Sequence, residues 1–240
     1  MVENSTTPIK DYEAAWSGEW DDMRRLGPTA RHMRRIITTL ARQPGIGTIL
    51  DVGCGEGSLL RDLGRLHPQA SLAGAELVEQ GIALARRRVP EGRFFQLDLE
   101  KSHLPERFDL VVCTDVVEHI VDDDSAFRHL AAMTGGYLIV STLQGRMRRF
   151  ERNVGHIRNY GHGEVASKMA ANGLSIVRTV EWGFPLYSPL YRNLNNGMNG
   201  AGTTGEFGPL RRLAAEGLYQ LFRLNSWRKG DYVAVLAKRP

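Results

Sequence analysis

Three side chains in 113-CTDVVEHI-120 combine proton-transfer and metal-binding chemistry at short spacing. Asp115, Glu118 and His119 stand at i, i+3 and i+4, which a helix would set on one face. An imidazole of near-neutral pKa suits removal of a proton from a hydroxyl or an amine. Two carboxylates and an imidazole suit a divalent cation such as Mg, which would orient and acidify a substrate oxygen. A plainer role stays open beside these: an acid sitting favourably at a helix N-terminus.

A second chemistry lies upstream in 49-ILDVGCGEGSLL-60. An apolar run ends in Asp51, and Gly53, Gly55 and Gly57 then remove side chains around Cys54, permitting unusual backbone angles and close approach of a ligand. The spacing is GxGxG rather than the pyrophosphate pattern GxGxxG, and an acid stands beside it. That acid would repel phosphate and attract an amine, so the ligand is drawn as a zwitterion rather than a dinucleotide. Glu76 follows 25 positions after Asp51 and can accept two hydrogen bonds from a ribose diol. Asp98 ends the next apolar run and could receive an adenine amino group, with Leu77 and Leu99 sandwiching the ring.

These residues fall at the ends of strands in an alternating pattern. TILDV, SLAGAE, FFQL, FDLVVC and YLIVST read as strands, with helices starting at Ser58, running through Ile82 and Ala85, and lying around Phe127. Such alternation predicts an α/β fold, a parallel sheet with helices on both faces. Residues 163–172 read as a helix closed by Gly173, and SIVRTVEW and YVAVLAK supply two further strands. Residues 1–44 read as an N-terminal helical cap containing Trp16, Trp20 and the periodic Met33, Ile36, Ile37 and Leu40. A core follows over 45–182, then a long insertion over 183–230 and a final core strand over 231–240. The 240 residues suit a single domain, and no run of about 18 apolar residues offers a membrane span. The start has no secretory order, and two cysteines in strand ends, Cys54 and Cys113, fit a reducing cytoplasm.

The set LDVGCGEG, GAELVEQGIALAR, QLDLE, FDLVVCTDVVEHI and GGYLIVST resembles the class I S-adenosylmethionine-dependent methyltransferases over roughly residues 45–142. The resemblance implies a Rossmann-like seven-stranded sheet with an antiparallel last strand. It also implies S-adenosyl-L-methionine as cofactor, with S-adenosyl-L-homocysteine as product. Asp51, Gly53, Cys54, Gly55 and Gly57 would hold the methionine end, Glu76 the ribose, and Asp98 with Leu99 the adenine. Thr114 and Asp115 would floor the site beside the sulfonium. The pattern D-x-x-E-H is similar to the E-x-x-E-H metal segment of ubiquinone-biosynthesis O-methyltransferases and of small-RNA 2′-O-methyltransferases, with Asp115 shorter than the first Glu. Asp115, Glu118 and His119 are therefore the candidate metal ligands.

In this superfamily the loop after the fifth strand faces the acceptor. Here it reads 155-GHIRNYGH-162, making His156, Arg158 and Tyr160 candidate acceptor-side residues, with His156 a base or a completing metal ligand. The insertion adds Tyr187 and Tyr191 in FPLYSPLY, read either as core packing or as a hydrophobic lid over an apolar or aromatic small-molecule acceptor. Its Gly/Asn-rich stretch, 195–208, would be a hinge or tip. The expected reaction is methyl transfer to oxygen, with nitrogen second. An RNA 2′-O-methyltransferase and a catalytically silent cofactor-binding subunit are the alternatives. Nucleic acid is disfavoured because the basic runs 85-ARRR-88, 146-RMRR-149 and 211-RR-212 are not interleaved with stacking aromatics. Peripheral membrane contact through Leu, Tyr and Phe flanked by Arg192, Arg211, Arg212 and Arg223 is a further option.

Overall fold

The computed structural model describes residues 21–197 and 206–240. Trp16, Trp20 and most of the Gly/Asn-rich stretch lie outside them. Two helices, α1 (Asp21–Leu26) and α2 (Pro28–Leu40), precede the sheet. The alternating segment gives β1 (Thr48–Val52), α3 (Ser58–Leu66), β2 (Ser71–Glu76), α4 (Glu79–Arg88), β3 (Arg93–Gln96), β4 (Phe108–Thr114), α5 (Asp123–Met133) and β5 (Thr134–Leu143). Then come α6 (Arg149–Asn153), α7 (Glu164–Ala171), β6 (Ser175–Trp182), a π-helical turn (Tyr187–Tyr191), α8 (Arg192–Gly197), α9 (Pro209–Phe222) and β7 (Tyr232–Lys238).

The strands form one seven-stranded sheet in the order β3-β2-β1-β4-β5-β7-β6. β1 to β5 pair in parallel, and β7 runs antiparallel to both β5 and β6, as the sequence predicts. Gly173 takes the left-handed conformation expected after its helix, with φ 80°.

Strand alternation sorts the core into two halves, one on each face of the sheet. Leu50, Val111, Leu138, Val140, Val233 and Val235 pack with Phe127 and Leu130 of α5 and with Val165 and Met169 of α7. Their neighbours Ile49, Leu110, Val112, Ile139, Ala234 and Leu236 pack with Ile36, Ile37 and Leu40 of α2, Leu60 and Leu63 of α3, and Phe222 of α9. Burial on both faces explains why these strands read as continuous apolar runs. The reversal between β2-β1 and β4 opens the carboxyl edge there, and Asp51, Glu76 and Thr114 arrive at that edge together.

Candidate active site

β1 delivers Asp51 to the lip of the glycine turn. There Gly53 N and Cys54 N both donate to Ala75 O, at 2.8 and 3.1 Å. Gly53, Gly55 and Gly57 have φ of 73°, 52° and 83°, so all three need the left-handed region. A Cβ on Gly53 would also lie 2.2 Å from a Val116 methyl. Asp51 is 1% exposed, and neither carboxylate oxygen has a hydrogen-bond partner. Burial, then the charge of Glu76, push its carboxyl up to about 8. A buried acid in that condition could receive a cation. The Cys54 thiol is pushed up by burial and by Asp51, which keeps it protonated and excludes it as a nucleophile.

Glu76 accepts from Gly55 N at 3.0 Å and from Leu77 N at 2.8 Å, so it clasps the glycine turn to β2 and keeps lone pairs for further donors. Asp98 accepts from Glu100 N at 3.1 Å and pairs with Lys101 at 2.7 Å. Of the two residues expected to sandwich a ring, Leu77 is exposed and Leu99 is sunk in the core.

On the acceptor side, the segment after β4 is a single 3₁₀ turn, Val117–His119, rather than an α-helical face. Asp115 precedes it with φ 53°, a conformation that among the described residues no other non-glycine adopts. It is open to solvent at the cleft yet walled by protein, and the lost hydration pushes its carboxyl up to about 7. Glu118 is fully buried, with both carboxylate oxygens unpartnered. Burial and then Asp115 raise its pKa well above the usual carboxylate range.

His119 Nδ1 lies 2.9 Å from Gly155 O; as the donor there it leaves the lone pair on Nε2. The His156 ring stands edge-on to His119 at 4.8 Å, and its Nε2 lies 4.0 Å from Glu118. Burial lowers both imidazoles, His156 to about 4 with the help of His119. Among the described residues, Glu118, His119 and His156 offer ligand atoms all within 4.8 Å of one another. His156, expected as a completing ligand, joins Glu118 and His119 in this cluster, while the left-handed Asp115 stands before the turn in place of the expected helical face.

The rest of the acceptor-side loop is scaffold. Tyr160 is buried and its hydroxyl donates to Asp123 at 2.9 Å, with Val117 O at 3.2 Å. Arg158 pairs with Asp123 and donates to Val121 O at 2.8 Å. Both brace the 3₁₀ turn from behind. His162 lies apart, 3.2 Å from Glu181. Tyr187 stacks on Trp182 at 4.8 Å and Tyr191 meets Phe222 edge-on at 5.2 Å, the core-packing alternative for the insertion.

The family model described as a methyltransferase domain matches residues 23–179. The chain belongs to the methyltransferase-domain family. It is similar to the ubiquinone biosynthesis O-methyltransferase of Serratia proteamaculans, 32% identical over 147 residues, covering 56% of this chain and 60% of that protein. The same enzyme of Bradyrhizobium diazoefficiens is 34% identical over 136 residues, covering 50% and 49%. The chain thus spans between about half and three-fifths of these relatives' lengths. In fold it is similar to the N-methyltransferase NodS from Bradyrhizobium japonicum, solved with S-adenosyl-L-homocysteine, with a TM-score of 0.64, 18% identity and coverage of 96% and 97%. It is similar as well to the [4+2]-cyclase SpnF, with a TM-score of 0.62, 18% identity and coverage of 93% and 87%.

In this methyltransferase-domain chain the cluster is held by residues that sequence reading did not single out for the site. Glu151 of α6 and Arg192 of α8 are buried together, with Arg192 Nε donating to Glu151 at 2.9 Å and its Nη1 pairing with Asp231 before β7. Glu151 also accepts from Asn159 at 2.9 Å and from the backbone N of Arg148, so it fixes both ends of the His156 loop. Glu56, inside the glycine turn, pairs with Arg88 of α4. The only sequence signal for these pairs was the basic runs, two of which supply Arg88 and Arg148.

Proposed function

We propose that the chain is an S-adenosyl-L-methionine-dependent methyltransferase acting on an oxygen of a small, apolar or aromatic acceptor, with nitrogen the second choice. The observation that carries this reading is the buried, unpartnered Asp51 carboxyl at the glycine turn. Ionised, it would receive the cofactor's ammonium. Gly53, Gly55 and Gly57 admit the methionine end, Glu76 keeps lone pairs for the ribose hydroxyls, and Asp98, with Leu77 and Leu99, takes the adenine. Thr114 and Asp115 would floor the cleft. When bound, the cofactor supplies an electrophilic methyl on a sulfonium; the chain's residues hold it, exclude water and manage the acceptor's proton. The O-methyltransferase relatives support oxygen, and the fold-level likeness to an N-methyltransferase keeps nitrogen second.

His119 and His156 are both neutral above their lowered pKa values, so either can accept the acceptor's proton at neutral pH. The same cluster fits a divalent cation: Glu118 offers two unpartnered oxygens and His156 an unpartnered Nδ1. Such a cation, held by Glu118, His119 and His156, would acidify the acceptor oxygen.

The division into a cap over 1–44, a core over 45–182, a lid over 183–230 and a final strand over 231–240 belongs to this reading, with the lid walling the acceptor side. Two buried thiols suit a reducing compartment, the cytoplasm. Titration calorimetry with S-adenosyl-L-homocysteine tests the proposal: wild type gives heat and Asp51→Asn none. Absence of heat in the wild type sinks it. Binding without transfer to any phenolic or hydroxylated acceptor would leave the silent subunit.

A further inference from the structure

α9 is buried on one side and apolar on the other. At about 100° per residue, Ala215, Phe222, Leu218 and Tyr219 define the side that faces the protein. Leu210, Leu213, Gly217 and Leu221 fall opposite, continued by Leu224 just past the helix end. The leucines are 83%, 74%, 44% and 72% exposed in chain order. Exposed leucines in line on the outer face of a packed helix form an apolar patch of the kind that marks an interaction site. The ridge does not stop at α9. Asn225 Oδ1 accepts from Leu186 N at 2.8 Å and Tyr187 N at 3.3 Å, tying its end to the segment that exposes Leu190 and Leu194.

A row of arginines lies along one flank of this ridge. Arg31 bonds Glu216 at 2.6 Å and stacks 3.6 Å over Tyr219, so α2 runs beside α9. Arg31, Arg34, Arg35 and Arg42 of this stripe, with Arg65 of α3, line a hollow of about 480 Å³ that also holds Asp62. Five arginines line it against Asp62, with Glu216 on Arg31 at its edge, so the hollow keeps a positive balance. Arg212 of α9 and Arg223 just past its end add exposed guanidinium groups beside the ridge.

We propose that the leucine ridge of α9 and the arginine row beside it form one docking face for an anionic phospholipid membrane. Leucines of an amphipathic helix enter the headgroup boundary, and guanidinium groups meet lipid phosphates. A second copy fits the face less well: a twofold contact sets the same patch against itself and brings the basic borders together. The inference rests on surface chemistry and does not depend on the catalytic reading.

Co-sedimentation of the full chain with vesicles tests it. Phosphatidylglycerol-containing vesicles should pull the protein down, phosphatidylcholine vesicles should not, and salt should weaken the binding. Leu213→Asp with Leu224→Asp should abolish sedimentation while circular dichroism and the thermal midpoint stay close to wild type. Arg42→Gln and Arg65→Gln, both exposed, should each weaken binding about fivefold. Equal binding by the leucine variant overturns the proposal, as does absence of binding to anionic vesicles at low salt. So does a wild-type dimer in light scattering that Leu213→Asp splits, without vesicle binding.

Discussion

On the proposed reading Asp51, which burial holds protonated without a ligand, must ionise to receive the cofactor's ammonium, and that fixes a proton balance. Below about 8 the fraction ready to bind grows about tenfold per pH unit, so cofactor affinity should rise from pH 6 to 8 and then flatten. Calorimetry in buffers of different ionisation enthalpy should detect nearly one proton released per cofactor bound at pH 7. Asp51→Asn should abolish the binding and its pH dependence together. On the acceptor side, His156→Ala and Glu118→Gln should each lower kcat by about a hundredfold or more, with cofactor affinity little changed. If the cation is used, a chelator should reproduce the loss and divalent metal should reverse it; unchanged rates with chelator would leave His119 and His156 as direct bases. Asp51, Glu76 and His156 were legible because strand-end acids and loop histidines announce themselves one at a time. Arg192 was not, since its meaning lies in Glu151 and Asp231, 41 and 39 positions away in the chain.

At the scale of elements, periodicity located the strands to within a few residues because burial on both faces leaves uninterrupted apolar runs. It could not settle the five residues after β4, where an α-helix and a 3₁₀ turn place the same letters differently. The left-handed residue at Asp115 turns Glu118 inward instead of along a helical face. The α6–α8 bridge carries the prediction here. Arg192→Met would strand Glu151 in the core, at a cost of about 3–5 kcal/mol, measurable by denaturant unfolding. Glu151→Met alongside it should restore most of that stability without restoring turnover, because the His156 loop loses its anchor. Recovery of both would show that the bridge serves stability alone. The glycine turn is equally strict: Gly53→Ala would need a left-handed alanine and displace Val116, so folding should fail before binding is tested.

For the molecule as a whole, two titrations pull in opposite directions. His156 is lowered to about 4 against 6.5, so its neutral form supports the fold above pH 6.5 and that support is lost as pH falls through about 4. Asp51 is raised to about 8 against 3.8, so its contribution is complete below 3.8 and is lost as pH rises through about 8. Between about pH 4 and 6.5 the two slopes cancel, so these groups should leave the ligand-free protein on a stability plateau there and a net loss should set in as pH rises from 6.5 towards 8. S-adenosyl-L-homocysteine should raise the thermal midpoint more at pH 8 than at pH 6; an equal rise at both would mean that Asp51 does not ionise on binding.

The position of β7 has a bearing on how the protein is made. It emerges from the ribosome after β6 yet lies between β5 and β6, pairing along its length with both. A nascent chain that has not reached Asp231 therefore presents two unzipped edges at once, and β6 has no neighbour to join. Synthesis must run past that residue before the sheet can close, which leaves the half-made molecule in need of shelter from its own kind.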